Sequence, residues 1–92
     1  MEAEKMPYFV VLLEAKPGVE ATQEQRQAHL DHLASLKEKG ALFMAGRFKD
    51  GSGGLYILEA KDPGEARSYA DADPYVKSGI RRCIVKEWDR VY

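Results

Sequence analysis

Tyr8-Phe9-Val10-Val11-Leu12-Leu13 decides how this chain folds. The block is aromatic, β-branched and aliphatic, and it is bounded by Pro7 and by Lys16-Pro17-Gly18, so it predicts a β-strand. Side chains alternate across a strand, which sends Tyr8, Val10 and Leu12 to one side and Phe9, Val11 and Leu13 to the other. Neither side is polar, so both faces of this strand require cover.

Downstream, Thr22 with Gln25 fits a capping box and Gly40 fits the position just past a helix C-terminus. Between them Leu30, Leu33 and Leu36 recur at helical spacing. Ala41–Ala45 and Leu55–Ala60 predict two strands, joined as a hairpin by the turn-rich Lys49-Asp50-Gly51-Ser52-Gly53-Gly54. Asp62 as N-cap, Pro63 in the first turn and Glu65 closing a capping box predict a second helix with Ala66, Tyr69 and Ala70 on its apolar face. Pro74 ends it by pushing Asp73 out of the helical region. A short turn over Tyr75–Gly79 and a strand over Ile80–Trp88 complete the chain. The order is β-α-β-β-α-β, a ferredoxin-like α+β fold in which two helices cover one face of a four-stranded antiparallel sheet. The helices cover one side of the first strand, and the other side would be a large apolar patch. A second copy packed sheet to sheet removes it, so a homodimer through the sheet face is expected.

A chain of 92 residues is one domain, here a polar tail over 1–7 and the folded unit over 8–92. Folding buries about 64% of the surface of such a chain, which leaves little room for an enclosed cofactor cavity, so a buried active site calls for help from a second subunit. The net charge is −1 and basic residues stand beside acidic ones, as in Lys37-Glu38-Lys39, so no one-signed patch points to nucleic acid or to an anionic membrane. Cys83 sits in an apolar run and reads as a small core side chain rather than a nucleophile. The polar start and the shortness of the Tyr8–Leu13 run argue for a cytoplasmic protein with no membrane span.

On a helical projection the three leucines span an arc of about 120°. His29 and Arg26 fall inside it and His32 lies at its edge, which makes His32 a surface residue and aims His29 toward the sheet. An imidazole so placed needs a hydrogen-bond partner and, taken alone, is more often a satisfied core histidine than a catalyst. His29 and His32 have no third ligand at metal-binding spacing. Asp71 and Asp73 close the second helix against the negative end of its dipole; Asp71 reads as solvated, while Asp73 is either a turn stop or a carboxylate whose direction Pro74 fixes.

Arg26-Gln27-Ala28-His29-Leu30, Gly40-Ala41-Leu42 with Ala45-Gly46, Glu65-Ala66, Asp71-Ala72-Asp73-Pro74-Tyr75-Val76 with Gly79, and Trp88 together resemble the YCII (YciI-like) family along nearly the whole chain from Tyr8. The resemblance implies a ferredoxin-like subunit that pairs into a dimeric α/β barrel. It also implies a cleft whose proposed catalytic histidine and aspartate correspond to His29 and Asp73, and the pattern needs no metal or organic cofactor. One member type is a dehydrochlorinase acting on a chlorinated hydroxyquinol, and related barrels include muconolactone isomerase and cofactor-free monooxygenases. Members usually carry proline where this chain has Arg47 after Gly46, and their hairpin loop is longer; both departures lie near the expected pocket rim. The expected function is a small-molecule enzyme in which His29 is the general acid/base, Asp73 orients its ring, Arg26 holds an anionic substrate group and Tyr75 lines the pocket. The rivals are a non-catalytic ligand-binding or accessory domain on the same barrel and a cofactor-free monooxygenase-like barrel.

Overall fold

The Tyr8–Leu13 block becomes strand β1 (Tyr8–Ala15), an inner strand of the sheet. The computed structural model describes residues 6–92; Met1–Lys5, the polar stretch of the expected tail, lies outside the described residues. After β1 come α1 (Gln23–Glu38), β2 (Leu42–Arg47), β3 (Gly53–Glu59), α2 (Pro63–Asp71), α3 (Pro74–Lys77) and β4 (Arg81–Trp88). The strands form one four-stranded antiparallel sheet in the order β2-β3-β1-β4, with Val11 opposite Tyr56 on one side and Val85 on the other. The fold is α+β, as the residue pattern predicted.

The two faces of β1 separate as alternation requires. Phe9, Val11 and Leu13 are buried with Tyr56 and Leu58 beneath the helices, where Leu36, Ala66, Ala70 and Tyr75 close the core. Tyr8, Val10 and Leu12 are only half-buried on the opposite face. There Tyr8 packs against the rings of Phe43 and Trp88, which remain 37% and 39% exposed. The helical caps also form as read. Thr22 accepts from the Gln25 N–H while the Gln25 side chain accepts from the Thr22 N–H, and Gly40 takes φ +77°.

Four details differ from expectation. The Tyr75–Gly79 turn is a third helix, α3, because the Asp73 carboxylate caps its first turn and Pro74 occupies its first position. Glu65 accepts from the Lys61 N–H rather than closing a box on Asp62, although Asp62 does cap Glu65. Leu30 is 49% exposed, since α1 overhangs the sheet at that level and leaves an opening beneath it. Finally, Gly53 belongs to β3 rather than to the turn: its φ is +134°, and a β-carbon there would lie 1.9 Å from the Leu13 carbonyl oxygen. Among the described residues no helix is long and apolar enough to cross a membrane.

Candidate active site

The opening beneath Leu30 is one end of a cleft of about 1040 Å³ between α1, the ends of β1 and β2, and the hairpin loop. It is open rather than enclosed, and residues of this one chain line it. Leu13, Leu33 and Phe48 supply apolar wall, and His29 and Arg26 reach it from α1. A second hollow of about 240 Å³ beside Phe9 and Val85 offers only Arg67 and Glu87 as ionisable groups.

Asp73 is fully buried, where an unpaired carboxylate would be costly. Its local geometry comes from the chain break at Pro74: α2 ends, Asp73 is extended, and its Oδ1 accepts from the Tyr75 N–H at 2.9 Å. From β3, the Tyr56 hydroxyl donates to Oδ2 at 3.0 Å. From α1, His29 Nδ1 lies 2.8 Å from Oδ1 and 3.0 Å from Oδ2. A carboxylate only accepts, so the shared proton sits on Nδ1 and the neutral ring carries its free electron pair on Nε2. Among the described residues Nε2 meets no hydrogen-bond partner, and no buried polar side-chain atom goes unpaired, so Nε2 opens to the cleft.

Tyr75 fixes the ring from the side. Its phenol stacks on the His29 imidazole at 4.1 Å between centroids and 8° between planes, and the Arg81 guanidinium lies 4.8 Å from the same phenol. The imidazole is thus held by a hydrogen bond at one edge and a flat contact on one face, which leaves the Nε2 edge free. Burial, and then the negative charge of Asp73, push the Tyr56 phenol far above its ordinary range, so it stays a neutral donor.

All four residues singled out in the sequence border this site: His29 and Asp73 in direct contact, Tyr75 against both, and Arg26 on the cleft wall one turn before His29. Asp73 is a turn stop and an imidazole partner at once. Two expectations change. His32 is half-buried rather than a surface residue, because its Nε2–H donates to the Tyr69 carbonyl at 2.9 Å and ties α1 to α2. Tyr56 and Arg81 belong to the site and were not singled out. A buried tyrosine needs a partner for its hydroxyl, which was a usable signal for Tyr56; nothing local marked Arg81. Asp71, expected to be solvated, is exposed and pairs with Arg67 at 3.0 Å. Cys83 is half-buried against the core, and burial pushes its thiol upward, away from the reactive thiolate. Among the described residues no group of three potential metal ligands converges.

The sequence profile of the YCII-related domain matches residues 6–89. The uncharacterized protein YjpA of Bacillus subtilis (strain 168) is 39% identical over 66 residues, which is 72% of this chain and 78% of that protein. Among solved structures, 5-chloro-2-hydroxyhydroquinone dehydrochlorinase (TftG) of Burkholderia phenoliruptrix AC1100, in complex with 2,5-dihydroxybenzoquinone, superposes with a TM-score of 0.67 at 27% identity. That superposition covers 89% of this chain and 93% of the other.

Proposed function

The chain belongs to the YCII-related family, and from that premise we propose that it is a small-molecule enzyme in which His29 moves protons on a substrate held in the cleft and Asp73 orients the imidazole. The observation that carries this reading is the 2.8 Å contact between His29 Nδ1 and the buried Asp73 carboxylate, with Nε2 turned to open space. A fixed tautomer makes Nε2 a base, and the same nitrogen returns the proton as an acid. Such a group suits isomerisation, or elimination from a ring bearing hydroxyls and a leaving group. For a chlorinated hydroxyquinol of the kind the dehydrochlorinase acts on, Nε2 would take a hydroxyl proton, deliver it to the carbon bearing chlorine, and take a second hydroxyl proton. Chloride then leaves with its bonding pair, so the net loss is HCl and the ring becomes a hydroxyquinone. Arg26 holds an anionic oxygen of the substrate, and Tyr75 keeps the imidazole plane in place.

The same reading pairs two copies through the bare sheet face. Half-buried Tyr8, Val10 and Leu12, with Phe43 and Trp88 beside them, form a continuous apolar surface of the sort that a two-fold contact covers.

Chloride release from chlorinated hydroxyquinols, measured for the wild-type protein and for folded His29→Ala and Asp73→Asn proteins, tests the catalytic reading. Removing the base should cost at least about 100-fold in turnover. Asp73→Asn keeps an oxygen to cap α3 but removes the carboxylate, and it should also lower turnover while leaving the helical circular dichroism intact. Wild-type turnover by His29→Ala would overturn His29 as the base, and ligand binding by the wild type without any turnover would leave a ligand-binding module.

A further inference from the structure

The cleft carries a charge pattern that proton transfer by His29 does not require. Arg26 from α1, Arg47 from the end of β2, Lys49 from the hairpin loop and Arg81 from the start of β4 all border it, against Glu20 as the one carboxylate among its lining residues. These cations come from four separate parts of a chain whose net charge is only −1. Among the described residues the ion pairs are His29–Asp73, Arg67–Asp71 and Arg82–Glu14, so none of the four has a carboxylate partner. Lysine and arginine side chains gathered at one opening repel each other; Arg81 offsets this against the Tyr75 ring and the Ile80 carbonyl, and an anion bridging the four would relieve the rest. Low-dielectric walls such as Leu33 and Phe48 strengthen that attraction and focus it into the opening.

The geometry points to a small planar ring that carries or develops oxyanions as the substrate class, with Arg47, Lys49 and Arg81 joining Arg26 as its binding residues. A single negative charge would leave most of the cluster uncompensated. Two anionic oxygens at opposite ends of a ring let cations from different walls engage each end, with guanidinium groups donating in pairs. Arg81 has a second part: its guanidinium packs on the phenol that stacks on His29, so an anion gathered by Arg81 is delivered beside the imidazole. A hydroxyquinol develops such oxyanions as His29 takes its hydroxyl protons, and an ionised dihydroxyquinone, whose two enolic hydroxyls are vinylogous acids, carries both at rest. The inference rests on the cleft being the substrate site proposed above, and it adds the ligand's charge.

Binding titrations separate the two ideas. The probes are 2,5-dihydroxybenzoquinone, a dianion at neutral pH; hydroquinone, a neutral ring of similar size; and terephthalate, an unreactive dianion whose charge lies on carboxylates. The wild-type protein should bind 2,5-dihydroxybenzoquinone in preference to hydroquinone, and the preference should shrink as salt is raised. Arg47→Gln and Lys49→Gln alter exposed side chains without touching the core, and each should weaken the dianion by about fivefold or more while leaving hydroquinone unchanged. Arg81→Gln should weaken it further. His29→Ala should keep the dianion affinity even as turnover falls. Terephthalate binding as tightly as the quinone would place the requirement on charge and shape alone, in support; terephthalate binding more weakly would narrow the class to ring oxyanions, also in support. Equal affinity for hydroquinone, no dianion binding, or Arg47→Gln and Lys49→Gln proteins that bind as the wild type does would overturn the inference and leave the His29 reading standing. Charge-dependent binding beside an undiminished His29→Ala turnover would do the reverse.

Discussion

Asp73 receives hydrogen bonds from a backbone amide, a phenol and an imidazole, and so satisfies a charge with no solvent exposure. Tyr56→Phe removes one of those donors without changing the packed volume. A hydrogen bond to a charged group is worth about 1.5–3 kcal/mol, and urea unfolding of the Tyr56→Phe protein should show a loss in that range. The same phenol gives the protein an alkaline weakness. An unfolded tyrosine ionises near pH ~10. Folded Tyr56 holds its proton far above that, so its contribution is complete below the unfolded value and declines as the pH climbs past it. Unfolding midpoints followed upward from about pH 9 should therefore fall more steeply for the wild type than for Tyr56→Phe. His29 and Asp73 were readable because each carried its own signal, one a histidine within a leucine stripe and the other a carboxylate locked ahead of a proline. Arg81 carried none. Its place against Tyr75 depends on how β4 enters the sheet, which no spacing within Ile80–Trp88 records.

Helix α1 presents Arg26 and His29, and its first turn is held by the reciprocal Thr22–Gln25 bonds. Thr22→Ala should cost about 1 kcal/mol in denaturant unfolding and leave ligand affinity unchanged, because the cap is exposed and remote from Nε2. The turn into β3 is far less forgiving. Gly53→Ala puts a methyl group into the Leu13 carbonyl at a backbone angle that L-residues avoid, and the loss should exceed about 2 kcal/mol or prevent soluble expression. Caps and helices were legible because their chemistry is local. Gly53 was misplaced because glycine marks a turn and a close backbone approach equally well, and only the pairing of Glu14 with Gly53 distinguishes them. The helix at Pro74–Lys77 was hidden for a related reason: a cap so soon after a helix end reads as a stop rather than a restart.

For the molecule as a whole, β1 divides the proposed catalytic cleft from the proposed assembly surface. Leu13 looks into the cleft while Leu12 looks out from the bare sheet face. Leu12→Glu places a charge in the proposed two-fold contact without entering the helix-side core, so sedimentation should show a wild-type dimer and a folded Leu12→Glu monomer; identical sedimentation would remove the dimer from the reading. The fold was legible because a strand with two apolar faces admits few architectures. The cleft came from the family resemblance and not from size, since area scaling speaks of enclosed volume and this hollow is an open overhang between α1 and a hairpin loop. Asp73 also has a bearing on descent. It is a structural keystone for α3 and, in the proposed mechanism, a chemical accessory to His29, so the two members of the pair are bound to the protein by unequal ties. A lineage that gave up the reaction would shed the histidine freely and retain the aspartate, and homologues showing the opposite loss would need a new way to restart the chain after α2.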